Sequence, residues 1–258
     1  MQIHILASGS TGNAVLLEMG GCKVLVDAGI SCRRIERGLA AVGLAVCDLD
    51  GVLITHEHSD HVKGVPVLVK KHRVPVYARP ATWNYMRETE KIPRECRRDI
   101  GVKIDFGPLQ VVPFPVSHDA VDPVGFCFYY KEQKWVVATD FGMITRSVAE
   151  ALAYADVAVL ESNHDPEMLQ AGPYPLYLKQ RIIGKRGHLS NNDAGILLAK
   201  IPRVQNMQVF LAHLSQHNNL PHLAERTVCD VLRHHDCAVG EDVILHCTHP
   251  DRTTSLVI

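Results

Sequence analysis

The densest chemistry in the chain lies in His56-Glu57-His58-Ser59-Asp60-His61, three imidazoles and the Asp60 carboxylate, which follows the apolar stretch Gly51-Val52-Leu53-Ile54 after Thr55. Residues i and i+2 of an extended chain point the same way, so His56 and His58 can share one ion, while Asp60 and His61, past the bend, can reach a second. One short loop can thus serve two cations. Imidazole nitrogen with carboxylate oxygen and no thiolate suits Zn²⁺, Mn²⁺ or Fe²⁺ in an open, catalytic shell; a closed structural zinc site usually recruits cysteine.

Two ions need further ligands, and apolar runs elsewhere end on suitable residues. Val112–Val116 leads through Ser117 to His118, Trp135–Thr139 ends at Asp140, and Phe210-Leu211-Ala212 ends at His213. His118 would complete a three-histidine site with His56 and His58, His213 would join Asp60 and His61, and Asp140 could bridge both ions. Asp27, before Ala28-Gly29, reads either as a carboxylate that orients a ligand or as an ordinary turn aspartate.

These residues require strands to carry them. Ile3–Ala7, Ala14–Glu18 and Lys23–Asp27 read as an antiparallel meander separated by glycine-rich turns, followed by a helix from an N-cap at Ser31 to about Gly43. Further strands are expected at 52–55, 110–116, 125–130, 135–139, 157–161, 207–212 and 243–246, and helices at 61–72, 81–89, 145–153, 191–200 and 220–235. Two sheets with helices outside them account for this order, an α+β class. A doubly wound parallel sheet is disfavoured because the first three strands leave no room for crossover helices. With 258 residues, 47% of them hydrophobic, one domain spanning 1–258 is expected.

A formal charge of −1 gives the whole chain no general attraction for polyanions, so any nucleic-acid contact must come from a local patch. The eight scattered cysteines contain no C-x-x-C pair, which fits thiols in a reducing compartment and a cytoplasmic protein. The N-terminus runs straight into a strand pattern, and no apolar segment approaches ~18 residues, so neither a signal peptide nor a membrane span is expected. The oligomeric state is not legible.

With Asp27, the H-x-H-x-D-H run of His56–His61, His118, Asp140 and His213 in this order, nearly the whole chain resembles the metallo-β-lactamase-fold hydrolases. The resemblance implies a four-layer αββα sandwich and a dinuclear centre at one sheet edge. Three further segments, Ser8-Gly9-Ser10-Thr11-Gly12-Asn13, Leu160-Glu161-Ser162-Asn163-His164-Asp165 and Gly187-His188-Leu189-Ser190-Asn191, resemble the bacterial YycJ/WalJ-type branch, regarded as DNA exonucleases. The last is also similar to a loop of transfer-RNA 3′-processing nucleases.

Taken as residues, Ser8, Ser10 and Asn13 lie on a turn whose amides and hydroxyls could receive a phosphate, though hairpin turns of that composition are common. Glu161 ends a strand, as a ligand-supporting carboxylate would, with His164 close behind; both are equally suited to structural hydrogen bonding. Ser190 can cap a helix whose positive end, with His188, would face an anion. Lys179, Arg181, Lys185 and Arg186 precede this segment, and Lys70, Lys71, Arg73 and Arg94, Arg97, Arg98 form other basic groups.

The expected activity is metal-assisted phosphodiester hydrolysis, a 5′ to 3′ DNA exonuclease with two divalent ions (Zn, Mn or Fe) that lower the pKa of a water to roughly 7. Position and resemblance assign Asp60 to hold or deprotonate the nucleophile and His188 to protonate the leaving oxygen. DNA is favoured over RNA. The rivals are an RNA-processing nuclease, a small-molecule hydrolase of a cyclic phosphodiester or thioester, and a metal-dependent binding protein without catalysis; a diiron redox centre would need a carboxylate where histidine stands.

Overall fold

Short runs of Val, Leu and Ile with no room for helices between them form hairpins first, and only later does the chain carry segments long enough to cross over a sheet. The computed structural model describes all residues, Met1–Ile258. The chain divides into two compact units: Met1–Pro113 with Ala120–Pro123 and His249–Ile258, and Phe114–Asp119 with Val124–Thr248.

The fourteen strands are β1 (Gln2–Ala7), β2 (Ala14–Met19), β3 (Cys22–Val26), β4 (Gly51–Leu53), β5 (Val76–Ala78), β6 (Arg97–Asp99), β7 (Ile104–Phe106), β8 (Leu109–Pro115), β9 (Val124–Tyr130), β10 (Gln133–Ala138), β11 (Val157–Glu161), β12 (Met207–Ala212), β13 (Val243–Cys247) and β14 (Thr254–Val257). One seven-stranded sheet, in the first unit, has the order β14-β1-β2-β3-β4-β5-β6. Its pairs are antiparallel from β14 to β3 and parallel from β3 to β6. The other has the order β13-β12-β11-β10-β9-β8-β7, with β7–β8 and β9–β10 antiparallel and β10 to β13 parallel.

Each parallel step is bridged by helix, as its geometry demands. Cys32–Ala41 links β3 to β4, Arg146–Leu152 links β10 to β11, and Pro221–His234 links β12 to β13. Ser31 caps the first of these by accepting from Arg34 N, and Ile35 and Leu39, one turn apart, bury its inner face. In the second sheet Phe126, Phe128 and Trp135 are fully buried, each stabilising the fold by about 1.5–3 kcal/mol relative to exposure.

Parallel strands share the sheet edge on which their C-terminal ends lie, and this fixes the position of the candidate residues. Asp27 follows β3 and His56 follows β4 by three residues; Asp140, Glu161 and His213 stand at the ends of β10, β11 and β12. No helix is long and apolar enough to cross a membrane.

The helix expected over 61–72 is two helices, Ser59–Val62 and Val65–His72, and the one expected over 81–89 stops at Tyr85. Strands β5, β6, β7 and β14 and the helices Pro166–Ala171 and Leu176–Ile183 are additional to those expected. The short strands hold three or four residues each, too few to show a period.

Candidate metal centre

In the first unit the donor set is built around Asp27. Its backbone sits at φ 62°, a left-handed conformation tolerated by aspartate at a tight turn. The carboxylate accepts from Thr55 N (2.9 Å), Thr55 Oγ1 (2.9 Å to Oδ2) and His61 Nδ1 (2.7 Å). With Nδ1–H donated to Asp27, the His61 lone pair lies on Nε2, the nitrogen that can ligate a cation. Thr55 Oγ1 lies 3.0 Å from His56 Nδ1; having given its proton to Asp27, it accepts from that N–H and leaves His56 Nε2 as the ligating atom. Ring centroids of His56 lie 4.6 Å from His58 and 4.2 Å from His61. Asp60 Oδ2 is 3.4 Å from His61 Nε2.

Backbone contacts hold this loop before any ligand arrives. Asn13 N donates to Asp60 O and Ala28 N to His61 O, both at 2.8 Å. Gly29 faces Asp60 so closely that a Cβ would stand 1.6 Å from its carbonyl oxygen. Asn13 turns its amide oxygen to Gly9 N (2.9 Å) and Ser8 Oγ (3.4 Å) and its nitrogen to His61 Nε2 (3.2 Å). Ser8 and Asn13 are buried, and Ser10 is exposed on the turn.

In the second unit Glu161 is the organising group. Fully buried, it accepts at Oε1 from His188 Nδ1 (2.7 Å) and His213 Nδ1 (3.0 Å) and at Oε2 from Phe141 N (2.6 Å). Burial opposes its ionisation, yet the charge and hydrogen bonds of His188 and the hydrogen bond of His213 outweigh it and hold the carboxyl below its ordinary range. Both rings are thereby fixed with Nε2 carrying the lone pair. Asp140 Oδ1 lies 3.3 Å from His213 Nδ1 and 3.8 Å from His118 Nε2. Donor atoms of Asp140, Glu161, His188 and His213 all lie within 4.8 Å of one another.

His118 Nδ1 donates to Gly187 O (3.1 Å), and burial pushes its pKa down, offset in part by Asp140, which keeps the ring neutral as a ligand must be. Asp140 and His213 have φ of 60° and 56°. Backbone in this sparsely populated region, at three candidate residues on strand ends, is the form of local strain that clusters at functional sites. The donor chemistry of both sets fits divalent cations: neutral imidazoles with fixed tautomers and carboxylates, without thiolate.

Of the remaining expected residues Ser190 has side-chain partners, whereas His164 Nδ1 is buried without a hydrogen bond. Ser190 Oγ caps the Asn191–Lys200 helix, accepting from Asp193 N (3.1 Å) and donating to Asp193 Oδ2 (2.6 Å). His164 is buried, its pKa lowered to about 4 chiefly by that burial, and its carbonyl accepts from Asn191 N. Among the basic residues, Arg181 pairs with Asp119, Arg186 holds His118 O, Lys179 holds Gln170 O, and Arg97 donates to Ile92 O. Sequence reading missed Thr55, and also Asn163, whose Nδ2 donates to His213 O at 2.8 Å and ties down the strained backbone there. Thr55 was signalled only by adjacency to His56, whereas Asn163 lies in the Leu160–Asp165 segment that carries the resemblance, where no role was assigned to it.

Residues 23–214 match the beta-lactamase superfamily domain. The chain is 38% identical to Exodeoxyribonuclease YycJ of Bacillus anthracis, over 99% of this chain and 98% of that protein. It is 39% identical to Exodeoxyribonuclease WalJ of Streptococcus pneumoniae, over 98% and 96%. Among solved structures it resembles the metallo-beta-lactamase fold protein YhfI from Bacillus subtilis, with a TM-score of 0.73 at 15% identity over 98% of both chains. The α+β class and the αββα sandwich expected from the sequence therefore stand, and the fold implies divalent metal ions. The chain belongs to the beta-lactamase superfamily and has the metallo-β-lactamase fold.

Proposed function

We propose that the chain, acting as one hydrolase unit over residues 1–258, is a metal-dependent phosphodiesterase, a 5′ to 3′ DNA exonuclease of the cytoplasm. The observation that carries this reading is the double grip of Glu161 on His188 and His213: one carboxylate prepares a ring to hold a cation and another to exchange a proton. Similarity along nearly its whole length to two exodeoxyribonucleases supports DNA over RNA. Eight free cysteines are compatible with a reducing compartment.

In this reading His56, His58 and His118 would hold one divalent ion and Asp60, His61 and His213 a second, with Asp140 available to both, the metals being Zn, Mn or Fe. When bound, the ions supply Lewis acidity toward a phosphodiester and a hydroxide nucleophile at neutral pH. Asp60 orients the attacking water and takes its proton. His188, its Nδ1–H anchored on Glu161, presents Nε2 to the departing oxygen and protonates it once charged. Asp27 keeps the His61 ring from rotating.

The test is digestion of 5′- and 3′-labelled single- and double-stranded DNA and RNA, with a bis-aryl phosphate in parallel, in defined Mn²⁺ or Zn²⁺. Shortening of DNA from its 5′ end, lost in Asp140→Ala, is expected. Intact DNA beside consumed RNA or bis-aryl phosphate would overturn the assignment.

A further inference from the structure

Next to the metal loop the first unit carries a cleft of about 750 Å³ whose wall begins at Glu57, His58 and Ser59. The same lining includes Lys63, Val67, Tyr85, Arg87 and Lys91. Tyr85 is 67% exposed and Val67 58%, a solvent-facing aromatic ring and an aliphatic side chain on the lining of one depression. Tyr85 is the last residue of the Pro80–Tyr85 helix, which buries Trp83 and leaves the tyrosine ring unused by the core.

The charges in this cleft are three cations against two carboxylates, in a chain whose formal charge is −1. Lys91 pairs with Glu88. Lys63 gives its ammonium to the neutral carbonyl of Thr11 at 2.9 Å, which leaves its charge uncancelled, and Arg87 is exposed. Glu57 is tied through Oε1 to Val121 N at 2.9 Å. The residues thus combine one stacking surface with several cations in one lining that also includes a candidate ligand.

We propose that this cleft receives a single strand of DNA adjoining the scissile phosphate, with Tyr85 stacked on a base and Arg87 and Lys63 on the neighbouring phosphates. The inference rests on the reading of the chain as a DNA nuclease. Bases inside a duplex are stacked on both faces and cannot receive a tyrosine, which favours single strand over duplex along the cleft, and stacking tolerates any sequence. Phosphate contacts from two cations add a salt-dependent grip. The basic residues flagged from the sequence are not those of this cleft; Lys63, Arg87 and Lys91 are scattered along the chain and meet only in the fold.

The experiment measures binding of a fluorescein-labelled single-stranded oligonucleotide by anisotropy, with chelator present so that binding is read apart from cleavage. Tyr85→Ala should weaken binding about tenfold and Tyr85→Phe should retain it. Arg87→Ala should flatten the slope of log K against log salt by about 0.7. Arg146→Ala, which removes an exposed cation outside the cleft, should bind as wild type. With metal restored, Tyr85→Ala should lose at least about fivefold more kcat/KM on the oligonucleotide than on a bis-aryl phosphate, the stacking contact being absent from the small substrate.

Wild-type binding by Tyr85→Ala, or an equal loss in Arg146→Ala, overturns the proposal, as does equal weakening on a blunt duplex. Failure of the nuclease reading shows differently, as intact DNA with the wild-type protein in metal.

Discussion

A buried carboxylate with two imidazole N–H groups on one oxygen is costly unless both donors stay in place, so Glu161 and its partners form a unit. Its two rings have different tasks in the proposed reaction, and this separates their variants. His188→Ala should lower turnover by about 10²–10⁴-fold, the usual contribution of a general acid, while metal content by elemental analysis stays near wild type. Equal loss of metal and turnover would make His188 a ligand instead. At this scale the histidines and aspartates stood out in the sequence because their types and crowding are local properties. Thr55 and Asn163 did not, since each acts by a hydrogen bond that exists only after strands are placed.

Loops that hold the candidate ligands are positioned by close approach of main chain to main chain. Gly29 lies against Asp60, and Gly142 lies against the His188 loop, where a Cβ would meet Gly184 O at 2.2 Å and Gly187 N at 2.5 Å. Gly29→Ala should destabilise the fold by about 1–3 kcal/mol and displace the metal loop, read by denaturant unfolding and by metal content. Gly101→Ala, with open space at its Cβ, should be near neutral. A neutral Gly29→Ala would show that the loop gives way freely.

Elements with a full hydrophobic run were legible to the residue: Val157–Glu161, Met207–Ala212 and the Asn191–Lys200 helix match their expected bounds. The helix expected across Gly64 is interrupted because Gly64 passes main chain at Ile30 and Ala28, where a Cβ would stand 2.1 Å from Ile30 O. Such an approach leaves no mark on periodicity. Strands β5, β6 and β7, three residues each, are defined by their neighbours in the sheet, so their sequences alone carry no signal.

For the whole molecule, binding of cations to the folded donor sets but not to the unfolded chain must raise stability by mass action. At about a hundredfold excess over Kd this amounts to about 2.7 kcal/mol, which for a chain of this size shifts Tm by roughly 5–10 °C. Chelation should lower Tm by that amount, Mn²⁺ or Zn²⁺ should restore it, and Asp140→Ala should blunt the response. A melting curve indifferent to chelator and to added metal would count against a bound pair of ions.

The sequence by itself determined the inventory of candidate ligands, their position after apolar strands and the resemblance to the family, because side-chain chemistry and hydrophobic periodicity are written locally. Only the tertiary structure decided which nitrogen of each ring is available. For His61 that choice is made by Asp27, 34 residues away, and for His188 and His213 by Glu161, 27 and 52 residues away. A tautomer is fixed by the acceptor facing the other nitrogen, and these separations are closed by the parallel pairs β3–β4 and β11–β12 and, for His188, by the loop between the Leu176–Ile183 and Asn191–Lys200 helices.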